Sequence, residues 1–311
     1  MAYSHRPVMS REVIRFLGCR SGGVYLDGTL GGGGHGRAIL EASAPDGILI
    51  GMDRDKAAIS HAGDVLSEYK ARVVLIRADF GEAGDELRER GFMEIDGMLL
   101  DLGVSSHHLD EAERGFSFRF DGPLDMRMDR RAAMTAEHLV NSLEERELAH
   151  IIRSYGEERF AGRIARAIVR ARGIKPVKTT GVLARIISEA IPRRYHGAKI
   201  DPATRTFQAL RIAVNDELTA LERGLAGGID LLKSRARMVV ISYHSLEDRI
   251  VKKVFREGAS PCECPPRIPR CVCGKRPGVK ILTRRVVTAG ADEVAENTRA
   301  RSAKLRAIEK I

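Results

Sequence analysis

The sequence predicts a doubly wound, Rossmann-like α/β fold interrupted by an all-α insertion. Three observations carry that expectation. Short apolar runs alternate with polar, helix-length segments over the first hundred residues. The alternation stops near residue 130, and strand signal returns only near residue 238. A glycine tract follows the first apolar run directly and opens a helix. Short buried-type strands alternating with helices mean βαβ units, and such units build a parallel sheet covered on both faces.

Taken in order, the runs at 24–26, 48–52, 73–78 and 98–100 read as strands. They end at Asp27, Asp53, Asp79 and Asp101. Segments 36–42, 56–68 and 82–90 read as the intervening helices. From residue 130 onward, 136–154, 159–172, 181–190 and 206–223 read as helices, with breaks at Lys175-Pro176 and Ile191-Pro192. Strand signal resumes at 238–241 and 279–287. The expected organisation is a core of residues 1–129 and 211–311, with a helical insertion at 130–210.

Of 311 residues, 52 are basic and 42 acidic, giving +10. The charge is divided: residues 1–129 carry −7 and residues 130–311 carry +17. Arg supplies 40 of the basic residues, and its planar fork suits phosphate and base stacking. An acidic first part and an Arg-rich second part suit a small-molecule site coupled to a polyanion. No apolar run approaches the roughly 20 residues of a membrane span. Five cysteines without a secretory signal pattern point to a reducing cytoplasm.

Gly31, Gly33 and Gly36 satisfy G-x-G-x-x-G, and Asp53 follows at the end of the next strand, where it can accept from ribose hydroxyls. Both NAD and S-adenosylmethionine fit this frame, the first giving an oxidoreductase. Asp27 ahead of the glycines would repel a pyrophosphate and attract an ammonium. Asp79-Phe80 offers an acceptor and an aromatic wall for adenine. Asp101-Leu102-Gly103 stands where a methyl acceptor would meet the cofactor. These features favour S-adenosylmethionine.

Longer strings then become informative. They are His5-Arg6-Pro7-Val8-Met9, Gly33-Gly34-His35-Gly36, Asp101-Leu102-Gly103-Val104-Ser105-Ser106, Pro123-Leu124-Asp125-Met126-Arg127-Met128, Arg205-Thr206-Phe207-Gln208-Ala209-Leu210-Arg211 and Ser242-Tyr243-His244-Ser245-Leu246-Glu247-Asp248-Arg249. With these the chain resembles the bacterial small-subunit ribosomal RNA cytosine-N4 methyltransferases of the RsmH/MraW type, from His5 to about Arg306. The resemblance implies S-adenosylmethionine as cofactor and a decoding-region cytosine as target, within an assembled or assembling small subunit. Separately from the resemblance, a monomer or dimer is expected, with no membrane partner given the short apolar runs. By position, the family's cofactor contacts fall on Gly33, Gly34, His35, Asp53, Phe80 and Asp101. A further contact falls on His108, where the family has Gln; His offers one hydrogen bond without an amide's geometry.

A cytosine N4 amine is a poor nucleophile, so alignment and a hydrogen-bond acceptor are the protein's main tasks. Asp101 is the expected acceptor, with Tyr243 and His244 closing over the base. Glu247 and Asp248 could help close that site or could form the first turn of a helix capped by Ser245, and the second reading is favoured. Arg127, with Asp125, suits either a base or phosphate contact or a salt-bridged loop. Arg159, Arg163, Arg166, Arg170 and Arg205 are the expected RNA contacts, although the first four also fit an ordinary exposed helix face. A non-catalytic RNA-binding assembly factor is the remaining alternative; four strand-end acids would be superfluous there. The proposed chemistry needs no metal. Cys262-x-Cys264 and Cys271-x-Cys273 could bind zinc, though C-x-C is tighter than the usual structural spacing, or could form a plain thiol loop. Cys19 reads as a core residue.

Overall fold

The computed structural model describes residues 7–196, 201–262, 264 and 272–311, without the side chains of Ser106 and His107. His5, Arg6 and Cys271 therefore lie outside the described residues. In chain order the helices are α1 (Ser10–Leu17), α2 (Gly34–Ala42), α3 (Lys56–Val65), α4 (Ala83–Glu89), α5 (Ser106–Asp110), α6 (Ala136–Ser142), α7 (Glu145–Gly156), α8 (Ala161–Ile174), α9 (Thr180–Ala190), α10 (Thr204–Asn215), α11 (Glu217–Leu231), α12 (Ser245–Ala259) and α13 (Ala291–Glu296). The strands are β1 (Val24–Asp27), β2 (Ile48–Met52), β3 (Val73–Ile76), β4 (Ile95–Asp101), β5 (Leu232–Ser242), β6 (Val279–Ile281) and β7 (Lys304–Lys310).

The chain divides into two compact units, Met1–Gly103 with Leu218–Ile311, and Val104–Glu217. The first unit is built on a sheet of order β3-β2-β1-β4-β5-β7-β6. β1 runs parallel to β2 and β4, β2 to β3, and β4 to β5. β7 is antiparallel to both β5 and β6. Strand order reverses at β1, so a crevice opens at the carboxyl ends of β1 and β4.

Side-chain alternation explains why the sheet needs cover on both faces. Leu26, Ile50, Met98, Leu100, Met238 and Val240 share one apolar layer with Leu87 of α4, Leu221 and Leu225 of α11, and Phe255 of α12. The intervening residues Tyr25, Leu49, Leu99, Val239 and Ile241 share the other with Leu17 of α1, Ile39 and Leu40 of α2, and Ala62 of α3. Each fully buried Leu or Ile contributes about 1.5–3 kcal/mol over exposure. Cys19 packs at the edge of the second layer, and burial pushes its thiol up to about 12. The doubly wound α/β expectation is met. Among the described residues, no helix is long and apolar enough to cross a membrane.

The second unit is helical, with one isolated bridge between Pro123 and Thr179. It is wider than the expected 130–210. Phe116, Leu124, Met126 and Met128 join its core, beside Leu148, Ile164, Ile168, Leu183, Phe207 and Leu210. Residues 111–135 escaped notice because they are mostly loop, with Gly115 and Met126 at positive φ, and so carry no helical period.

Four elements differ from expectation. Segment 136–154 is two helices, because Leu143 leaves the helical path and a Glu144/Glu147 capping box starts α7. Segment 206–223 is broken at Asp216, which takes a left-handed φ of 47°. The strand at 279–287 shortens to β6 plus a bridge from Val287 to Leu305. β7 was not anticipated, because its buried Leu305, Ala307 and Ile308 are interleaved with Lys304, Arg306, Glu309 and Lys310.

Candidate active site

The glycine tract is an extension of the sheet's own hydrogen bonding. Gly28 N–H donates to Leu99 O at 3.0 Å and Leu30 N–H to Met52 O at 2.9 Å. The loop then turns at Gly31 and Gly33, with φ of 50° and 79°, into α2. Those values favour glycine. At Gly36 the constraint is space: a Cβ would lie 2.8 Å from Leu49 and 3.1 Å from Leu30. This is the close helix–strand approach that the third glycine of the fingerprint provides.

Asp53 ties this loop to the next strand. Its Oδ2 accepts from Gly31 N at 2.9 Å and its Oδ1 from Asp55 N at 2.8 Å. Asp55 in turn caps α3 through Ala57 N. Each Asp53 oxygen keeps further lone-pair capacity for a ribose hydroxyl. Asp79 does two local jobs, capping the turn at Gly81 N at 2.7 Å and pairing with Arg54 at 2.6 Å. Phe80 is buried, with its ring against Gly224 of α11.

Asp101 ends β4 in a set of polar contacts. Its backbone N–H donates to Thr29 Oγ1 at 2.6 Å, its Oδ1 accepts from the Tyr243 hydroxyl at 2.8 Å, and its Oδ2 stands 3.5 Å from His35 Nε2. The last is an ion-pair distance, longer than a well-formed hydrogen bond. Burial pushes the Tyr243 phenol up, and the Asp101 carboxylate adds to the shift, so Tyr243 stays a donor. Burial pulls His35 down, but Asp101 and Asp27 outweigh it and hold the imidazole above its ordinary value. Gly103, at φ 95°, lets the chain turn away beside the Tyr243 ring.

Asp27 is buried at the end of β1. Its Oδ1 accepts from Thr29 N at 3.1 Å, whereas Oδ2 has no hydrogen-bond partner among the described residues. Desolvation by burial raises it from 3.8 to about 6, against the opposing pull of His35. Both ring nitrogens of His35 are likewise buried without a hydrogen-bond partner there. A buried acid oxygen and a buried imidazole left unpartnered beside a glycine turn suit a bound polar ligand.

The geometry brings Gly33, Gly34, His35, Asp53, Asp101 and Tyr243 to one edge of the first unit. It gives other predicted residues structural work. His244, not Ser245, is the N-cap of α12: its Nδ1 accepts from Glu247 N at 3.4 Å. Its Nε2 lies 3.1 Å from Glu247 Oε1. Glu247 reaches back to Tyr243 N at 2.8 Å, fixing the turn that presents Tyr243. Asp248 pairs with Arg306 at 2.7 Å. Thr29 is the positioning residue that the motifs do not mark; a hydroxyl directly after the Asp27-Gly28 turn is the available signal.

In the helical unit His108 is buried, its ring 4.8 Å from that of Phe116. Arg127 closes a loop: it grips Asp125 through two 2.8 Å bonds and donates to the carbonyls of Arg130 and Ala132. This is the salt-bridged loop of the two sequence readings. Arg159, just before α8, is exposed, as are Arg163, Arg166 and Arg170 on the side of α8 opposite buried Ile164 and Ile168. Arg159 also lies over the rings of Phe160 and Tyr195, at 4.5 and 3.8 Å. Arg205 is exposed, 3.3 Å from Glu157 O.

The model of the MraW methylase family matches residues 2–311. The chain is 59% identical over 311 residues to ribosomal RNA small subunit methyltransferase H of Geobacter sulfurreducens, covering 100% of both. It is 56% identical over 309 residues to the protein of that name from Geotalea daltonii, covering 99% of each. With that of Symbiobacterium thermophilum it shares 53% over 311 residues, 100% of this chain and 98% of the other.

Proposed function

Because the chain belongs to the MraW methylase family, we propose that it methylates small-subunit ribosomal RNA from S-adenosylmethionine, at the exocyclic N4 amine of a decoding-region cytosine. The observation that carries the chemical part is the fixed carboxylate of Asp101, held by the Tyr243 hydroxyl at the end of β4.

The donor set fits the cofactor. The unpartnered buried oxygen of Asp27 suits an ammonium, and Asp53 suits ribose hydroxyls. When bound, S-adenosylmethionine supplies a methyl group activated by its sulfonium. The protein's residues then align and stabilise. Asp101 accepts a hydrogen bond from the amine and stabilises the positive charge that grows on nitrogen. Tyr243 keeps one Asp101 oxygen pinned, so the other is aimed without reorganisation. The exposed arginine face of α8 binds RNA phosphate. The proposed reaction is cytoplasmic, a reading supported by the small-subunit rRNA named for the relatives.

The two rival readings fare worse. A dinucleotide pyrophosphate would meet Asp27 at the glycine turn. A non-catalytic assembly factor leaves the buried acid of Asp27 and the buried imidazole of His35, beside Asp101, without a purpose. The deciding experiment is transfer of labelled methyl to small subunits and to their naked RNA, followed by mass mapping of the modified nucleotide. N4-methylcytidine at one site is expected. Methyl on a different atom would overturn the assignment of the target amine, and NADH binding without methyl transfer would overturn the whole reading.

A further inference from the structure

We infer that Cys262, Cys264 and Cys273 form a thiolate site for a zinc ion in the connection between α12 and β6. Their three sulfurs all lie within 4.8 Å of one another. The Cys273 and Cys262 sulfurs are 3.8 Å apart. Tetrahedral zinc with Zn–S bonds of about 2.3 Å sets its sulfurs about 3.8 Å apart. A disulfide would bring them to about 2.05 Å.

The backbone is shaped for the same purpose. Cys264 N–H points at Cys262 Sγ at 3.3 Å, a bond that orients a thiolate while leaving lone pairs for a cation. Gly274 turns left-handed, φ 64°, immediately after Cys273, with open space around it. The tight C-x-C spacing therefore does not keep the first two sulfurs apart. Three soft thiolates gathered within 4.8 Å of one another select zinc over harder cations.

Five prolines fall between residues 260 and 278, and among the described residues of this segment Val272 is 79% exposed. What fixes its far end is polar: Lys275 Nζ donates to Glu257 O at 3.0 Å and Gly278 N to Gly258 O at 2.9 Å. A bound cation would cross-link the near end to that anchored end, as metals do where a core is too small. Lys275 and Arg276 follow in sequence and offset the surplus negative charge of three thiolates on a divalent ion. Cys271, beside the group in sequence, lies outside the described residues.

The test is metal analysis of the full-length chain, purified without a metal-affinity tag and gel-filtered in chelator-treated buffer. About one zinc per chain is expected. Cys262→Ser with Cys273→Ser should lower the content at least about tenfold, while Cys19→Ser leaves it unchanged. If the variant does not fold, the wild-type protein still decides: added zinc should be retained against a chromogenic chelator and should shield three thiols from a thiol reagent. Wild-type protein that holds below about a tenth of an equivalent and takes up no added zinc would overturn the site. So would loss of these thiols to a metal-free disulfide, or equal zinc loss in Cys19→Ser.

Discussion

The Tyr243 hydroxyl donates to Asp101 Oδ1 at 2.8 Å, joining the carboxyl ends of two adjacent parallel strands through side chains. Tyr243→Phe should therefore lower the rate of methyl transfer about 10–100-fold with little change in affinity for S-adenosylhomocysteine. Asp101→Asn should cost more, about 10²–10³-fold. Single-turnover kinetics with calorimetry of product binding separate the two effects. Full turnover in Asp101→Asn would remove its proposed role.

Asp27 gives opposite signs for folding and binding. Burial pushes its carboxyl from the ordinary 3.8 up to about 6 in the folded protein. The stability it contributes is thus complete below pH 3.8 and is lost as pH rises to about 6. Asp27→Asn should make the ligand-free protein more stable at pH 7, by about 2–3 kcal/mol in urea titration. The same change should weaken S-adenosylhomocysteine binding, because a cationic amine loses its counter-charge. A variant that is less stable and binds equally well would contradict both.

The close approach at Gly36 predicts a packing cost. Gly36→Ala must displace Leu49 and Leu30 side-chain ends and should destabilise by about 1–3 kcal/mol. Gly162→Ala, where a Cβ meets nothing within 4 Å inside α8, should stabilise by about 0.5–1 kcal/mol. Thermal unfolding of the two variants gives the comparison.

RNA binding should distinguish two kinds of arginine. Charge reversal at Arg159, Arg163, Arg166 and Arg170 should weaken RNA binding and flatten its salt dependence, by about one unit of slope per lost phosphate contact. Arg127→Ala should leave that slope unchanged and lower thermal stability instead, since its guanidinium is spent on Asp125 and two carbonyls. An unchanged slope in the charge-reversed protein would mean α8 presents a solvated face only.

The sheet was legible because β1, β2 and β4 are buried on both faces and so write continuous apolar runs into the sequence. β7 was not, because it interleaves charged residues with its buried ones and reads as a basic tail. The strand-end acids were legible for the same geometric reason that makes them useful: a strand stops being apolar where it reaches the crevice. Which acid does what was not legible. Asp79 reads as an adenine acceptor, and no local window shows that its oxygens also serve Gly81 and Arg54. His244 looked catalytic, yet it caps a helix with Glu247. Such assignments depend on contacts across tens or hundreds of residues, as with Thr29, Asp101 and Tyr243. No local window contains them.

The position of β7 bears on how the protein is made. β6 bonds only to β7 among the described strands, and β7 is the latest strand in chain order, yet it lies inside the sheet. Until Lys304–Lys310 has left the ribosome, β5 therefore keeps an open edge and β6 has no neighbour. Nascent chains arrested short of that point present an unpaired apolar strand to chaperones and proteases.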